Sequence, residues 1–218
     1  MTGRYKKGCK DAGVSESIGF LLIFTIIIAG ISLVMLYGYP ILLQQQSSAD
    51  EQIMEKNMIV LQNDVKSLAY KTVPYKETSL KVGGGALTAY NSSYDPVKSS
   101  KFWIFDSGGC IQNSDGNPAT LGNPFIFSPG DIRYESTTAQ TDISLENGAV
   151  VKRMLAQDGS TMLAEPRWFY DGTTNTAVLY LINFTSPDVM ARSGVGTVKM
   201  KLGGNNYPPA CQLPTTVY

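Results

Sequence analysis

The fold class expected is α+β: a long N-terminal helix, transmembrane at first and continuing as a stalk, followed by an antiparallel β-rich domain. Three observations predict it. Ile18 to Leu43 reads IGFLLIFTIIIAGISLVMLYGYPILL, 26 residues without Asp, Glu, Lys or Arg. The residues after it carry apolar side chains at helical spacing. From Leu80 onward, short apolar runs alternate with turn residues. The 218 residues suffice for one domain plus an anchor.

The average composition, 43% hydrophobic and 17% charged with zero net charge, hides this division. Crossing a bilayer as a helix takes roughly 20 apolar residues. At 1.5 Å per residue the run reaches about 39 Å, enough to span with tilt. The other reading, a buried core helix, fails on quantity, because the polar remainder could hardly surround it. Charge sets the expected orientation. Arg4, Lys6, Lys7 and Lys10 precede the run, against Asp11 and Glu16, whereas Asp50, Glu51 and Glu55 come after it, ahead of Lys56. Lys and Arg favour the cytoplasmic side. The expectation is a single-pass protein of the cell membrane, N-terminus cytoplasmic and C-terminal domain extracellular. The exit, GYPILLQQQSSADEQ, has no A-x-A site, so ordinary signal cleavage is not expected there.

After Pro40 no Gly or Pro occurs until Pro74. Met54, Met58, Leu61, Val65 and Leu68 form a one-faced stripe, with Asp50, Glu55, Lys56, Asn57, Asp64 and Lys66 off it. Residues 44–73 therefore read as an amphipathic helical stalk, packed on the chain's own β domain or on another copy as a short coiled coil. Two heptads favour the first. Gly38-Tyr39-Pro40 should bend or break the helix between span and stalk, since proline removes a helix bond and clashes with the preceding turn. Gly83-Gly84-Gly85 reads as a flexible joint.

The β domain, residues 79–218, should hold seven to ten antiparallel strands. Its runs are LTAY (87–90), KFWIF (101–105), NPFIF (123–127), ISL (143–145), AVVKRM (149–154), RWFYD (167–171), TAVLYLINF (176–184) and GVGTVKMKL (194–202). Glu146-Asn147-Gly148 marks a tight hairpin, because Asn and Gly tolerate positive φ. Phe102, Trp103, Phe105, Trp168, Phe169, Tyr180 and Phe184 are expected in its core. Tyr90, Tyr94, Tyr134, Tyr207 and Tyr218 are expected in loops, where tyrosines can contact a surface or glycan ligand. The tail, NNYPPACQLPTTVY, is Pro-rich.

Cys110 and Cys211 fall in the exported part, where they could form a disulfide or stay free thiols, while Cys9 sits among the basic residues. Asn91-Ser92-Ser93 and Asn183-Phe184-Thr185 match the N-glycosylation triplet, which makes Asn91 and Asn183 candidate acceptors. No catalytic site emerges. Without histidine there is no Ser-His-Asp, Cys-His or HExxH arrangement, and GxSxG, P-loop and dinucleotide patterns are missing. Asp106, Asp115, Asp131 and Asp142 lack calcium-loop spacing. No enzyme activity, cofactor or metal is expected. Basic residues do not cluster beyond the leader, so no nucleic-acid partner is expected either.

The segment entering the apolar run, KKGCKDAGVSESIGFLL, joins a basic leader, small residues and a short polar stretch directly to the helix. It resembles the class III signal peptides of type IV prepilins, particularly archaeal pilin-like proteins, over about residues 4–45. The resemblance implies a pilin-like fold and a membrane prepilin peptidase as partner. The implied cut lies between Gly13 and Val14, removing leader 1–13 and keeping residues 14–43 as the membrane helix. It leaves 14 Lys and Arg against 17 Asp and Glu, a charge of −3. Glu16 would then be third after the cut; a cut at Asp11–Ala12 would make it fifth, the familiar pilin position. The resemblance implies that Glu16 meets the free amine of Val14 on a neighbouring subunit. The plainer alternative is a helix-capping role, with the carboxylate near the orphan amides of the first turn.

The leading expectation is thus a structural subunit, major or minor, of an archaeal type IV pilus-like filament, with adhesion as an added role. Its partners would be the bilayer and copies of itself or other pilins through residues 14–70. The alternative is a membrane-tethered surface-binding or accessory protein that never polymerises.

Overall fold

A computed structural model describes residues 11–71, 73–91, 100–105, 111–112, 115–174, 176–187 and 190–204. The chain is α+β and divides into two compact units, Met1–Gln46 and Ser47–Tyr218.

In the first unit, α1 (Asp11–Leu33) is followed by a five-residue π-helical stretch, Val34–Gly38, and by the start of α2 (Tyr39–Tyr70). The sequence predicts a disturbance at Gly38-Tyr39-Pro40, and a widened turn lies immediately before it. Pro40 has no amide proton, so an ordinary i→i−4 bond to Leu36 cannot form there. A wider turn accommodates the gap without ending the helix.

The second unit contains the rest of α2 and, among the described residues, ten strands: β1 (Tyr75–Tyr90), β2 (Phe102–Ile104), β3 (Phe125–Phe127), β4 (Asp131–Ser136), β5 (Thr141–Glu146), β6 (Ala149–Met154), β7 (Ser160–Ala164), β8 (Trp168–Asp171), β9 (Thr176–Leu179) and β10 (Met190–Lys201). Six form one antiparallel sheet in the order β10-β1-β4-β5-β6-β7, while β2-β3 and β8-β9 are separate two-stranded ribbons.

The hydrophobic core lies between the stripe on α2 and this sheet. Met54, Met58, Leu61 and Val65 cluster with Leu80, Val82, Leu87, Ile132, Tyr134, Ile143, Leu145 and Val150, all buried. Alternation selects the inward residues on β4 and β5, and the register sets Tyr134 opposite Ile143 and Ile132 opposite Leu145. The stripe therefore packs on its own domain, the first of the two arrangements weighed above.

Several expectations are corrected. The glycine triplet is no joint: it lies inside β1, where the register with β10 shifts between Val82 and Leu87 and Gly84 has φ +65°. This bulge has a consequence for packing. Leu80 and Val82 face inward at even positions, and Leu87 at an odd one, so the irregularity restores the apolar face that strict alternation would lose. The sheet begins at Tyr75, earlier than residue 79, and the stalk helix stops at Tyr70, short of 73. Asp131–Ser136, not singled out in the sequence, is a central strand.

Tyr134 is fully buried, its hydroxyl donating to the Gly83 carbonyl at 2.6 Å; it is a core residue, not a loop one. Conversely, Trp103, Phe105, Trp168 and Phe169 are exposed, because they sit on or beside the small ribbons outside the main sheet. Phe184 is partly buried against the core, from a segment beyond β9 that is not a strand. The Phe184 amide donates to the Pro129 carbonyl at 2.6 Å and that of Ile182 to Asn147 Oδ1 at 2.8 Å. The expected hairpin at Asn147-Gly148 is present, with φ +47° and +76° joining β5 to β6.

Candidate functional site

Two regions carry functional potential. The first is the apolar helix of the opening unit. From Ile18 to Leu43 the large apolar side chains are exposed, for example Phe20, Ile27 and Leu36. The helical run Glu16–Tyr70 has 55 residues and contains a window of mean hydropathy 2.8 that is 0% buried. It is long and apolar enough to cross a membrane. A soluble protein hides such a helix in its core, whereas this one offers every face to its surroundings, and hydrocarbon is the solvent in which that costs nothing. Glu16 is exposed and lies in the second turn of α1. Gly13 and Val14 are helical. The basic residues of the leader, Cys110, Cys211, Tyr94, Tyr207, Tyr218 and Asp106 lie outside the described residues. Asn183 is exposed and Asn91 half-buried.

The second region is in the β-domain unit, around the C-terminal end of α2. Here the helix is bonded to the β5–β6 turn at Gly148 and to the segment after β7 at Glu165. Gln62 Nε2 donates to the carbonyls of Gly148 at 2.7 Å and Glu165 at 2.9 Å. Lys66 Nζ donates to the same Glu165 carbonyl at 3.1 Å. Further along, Lys152 on β6 is held 2.6 Å from both Glu51 and Glu55, one helical turn apart on α2. Burial there works to lower the Lys152 pKa, but the hydrogen bonds and charge of the two carboxylates raise it on balance.

Beyond these clamps opens a cleft of about 720 Å³, lined by Asn63, Lys66, Ser67, Tyr70 and Lys71 of the helix end and by Glu165, Pro166, Arg167 and Trp168. The Arg167 guanidinium stands 4.5 Å from the Tyr70 ring centroid and 5.2 Å from that of Tyr180. The two tyrosines meet edge to face at 4.8 Å. Burial raises the Tyr70 pKa, with Arg167 opposing, so the phenol keeps its proton through neutral pH. Trp168 also borders a smaller apolar groove with Phe102, Trp103, Phe105 and Leu179, where Phe102 meets Trp168 edge to face at 6.2 Å. Sequence reasoning missed Arg167: a lone arginine before an aromatic run carries no signal until the fold brings Tyr70 and Tyr180 beneath it.

Elsewhere, Asp131 is buried beside Arg133, whose Nη2 lies 2.6 Å from its Oδ2, while Oδ1 has no partner among the described residues. Burial raises the Asp131 pKa against the lowering pull of Arg133. Among the described residues, no group of three or more His, Cys, Asp or Glu side chains could hold a metal ion.

Comparison with known proteins adds a family. The sequence pattern of a family of unknown function, DUF7289, matches residues 13–206. A protein of Archaeoglobus fulgidus, described as uncharacterized, is 25% identical over 207 residues, covering 84% of this chain and 67% of its own length. No solved structure matches the chain.

Proposed function

The chain belongs to DUF7289, a family of unknown function, and we propose that it acts as a structural subunit, major or minor, of an archaeal type IV pilus-like surface filament. One observation carries this reading: a helix whose apolar faces are all exposed over residues 18–43, with the carboxylate of Glu16 two residues before that run. A membrane anchor alone needs about 20 such residues and no acid at its mouth. A filament needs more: helices that move from lipid into a bundle, with a charge that fixes their register. The prepilin-like segment Gly13-Val14-Ser15-Glu16 supplies both a cut and that charge, and the archaeal relative agrees with the expected source.

In this mechanism the uncut chain waits in the membrane, N-terminus in the cytoplasm and β domain outside. Cleavage before Val14 removes the basic residues that hold the leader on the cytoplasmic side. It also creates an ammonium at Val14. Glu16 of one subunit then pairs with Val14 of the next, a contact that lowers the cost of carrying a carboxylate into an apolar bundle. The packed half of α2 remains on its own sheet, so only the exposed half is available for bundling.

Glu16→Gln, expressed in the native host, tests the assembly step. The expected outcome is a processed protein that stays in the membrane and is missing from sheared filaments. Filaments containing the variant at the native level would overturn the role of Glu16. If the unaltered chain never leaves the membrane, a tethered surface-binding protein is the better reading.

A further inference from the structure

We propose that the cleft at the end of α2, together with the aromatic groove it meets at Trp168, is a binding site for an acidic polysaccharide, specifically for a uronic-acid unit. This goes beyond the filament role and does not depend on it, because the whole site lies in one domain of one chain.

Charge is the first support. Lys66, Lys71 and Arg167 line the cleft against one carboxylate, Glu165. Neither Lys71 nor Arg167 has an ion-pair partner among the described residues. Three cations against one carboxylate leave the lining with a net positive charge. The carbonyl end of α2 opposes an anion there, but it amounts to about half a charge, which the three cations outweigh.

Shape and preorganisation are the second support. Arg167 is held over two tyrosine rings, a contact that positions the guanidinium without using its N–H groups in that contact. A planar fork so held matches a carboxylate, which it can engage through two parallel hydrogen bonds. Lys66 is anchored to the Glu165 carbonyl and Gln62 steadies the same loop, so the rim needs little ordering when a ligand arrives.

The third support selects a sugar over other anions. Trp168 borders both the cationic cleft and the apolar groove, and Trp103 beyond it is 62% exposed. Exposed indole rings in a groove are costly in water and gain from contact with a flat C–H surface. A pyranose ring offers that surface, and a uronate adds the carboxylate on the same ring. An acidic peptide has the charge without the flat face. A neutral glycan has the face without the charge.

Full-length protein in detergent, titrated with polygalacturonate, dextran and poly-glutamate, tests the site directly. Polygalacturonate is expected to bind, more weakly as salt rises, and dextran not to bind. Replacing Arg167→Gln or Lys71→Gln should each weaken binding about tenfold, the loss of one charge-assisted contact. Lys71 is exposed, so its variant keeps the fold and remains informative if Arg167→Gln does not. Trp103→Ala should weaken polygalacturonate while leaving any poly-glutamate binding unchanged. Absence of polygalacturonate binding would overturn the proposal, as would equal affinity for poly-glutamate or indifference to both charge substitutions. None of these outcomes reads filament assembly.

Discussion

Leu61→Ala tests whether the amphipathic half of α2 belongs to the β domain. Leu61 is fully buried in the cluster between helix and sheet, whereas its neighbour Val60 is 46% exposed. The substitution removes three carbons. At about 0.8 kcal/mol per buried methylene the transfer loss alone is about 2.4 kcal/mol. A rigid surround adds a cavity cost, bringing the range for such sites to about 2.7–5.0 kcal/mol. The surround here is rigid, since Gln62 and Lys152 pin the helix on either side. For a domain of this size each kcal/mol moves the melting temperature roughly 2–4 °C, so a drop of roughly 5–20 °C is expected. Val60→Ala on the same turn should move it by less than about 2 °C. The assay is thermal unfolding of full-length protein in detergent, followed by tryptophan fluorescence, which reports on the β domain because Trp103 and Trp168 both lie there. Equal, small effects of the two substitutions would refute intramolecular packing of the stripe and favour pairing of α2 with another copy.

Two further predictions address other parts of the domain. Gly85→Ala should destabilise by at least about 1–3 kcal/mol, the usual cost of overpacking, because the added carbon would lie 2.3 Å from the Glu135 carbonyl and 2.8 Å from the Tyr134 ring. Gly122→Ala, with open space around it, should be neutral in the same denaturant titration. Asp131→Asn probes pH. Burial raises the Asp131 pKa above its ordinary 3.8, so the folded state holds the proton more tightly than the unfolded chain. Its contribution is therefore fully present below 3.8 and is lost as pH rises through the folded value. Relative to Asp131→Asn, the native protein should lose stability as pH rises above 3.8, in denaturant titrations at each pH. A difference independent of pH would contradict the assigned burial effect.

How much of this was legible in the sequence depends on whether the cause was local. The apolar run, the stripe from Met54 to Leu68 and the Asn147-Gly148 turn are local patterns with one structural solution each, and the fold follows them. In the sequence Asp131-Ile132-Arg133-Tyr134 is as polar as a turn, so Tyr134 looks like a loop residue. Only its position between β1 and β5 buries it. Gly83-Gly84-Gly85 suggests flexibility, yet its use is steric: the Tyr134 ring and Glu135 backbone approach too closely for a side chain at Gly85. The aromatic runs at 101–105 and 167–171 do contain strands, but strand pattern does not say which sheet a strand joins. These joined small ribbons, leaving Trp103 and Trp168 exposed. Of the sites, the membrane-length helix is a sequence property, while the Arg167 cleft arises from residues about 100 positions apart in the chain. No local pattern could have disclosed it.

The most direct test of the central claim is the intact mass and N-terminal sequence of the protein from its native host, taken from membranes and from sheared surface filaments separately. The expected result is a chain beginning at Val14 in the filament fraction, with the uncut form confined to membranes. A filament fraction lacking the protein, with only the Met1 start in membranes, would contradict both the processing and the structural role.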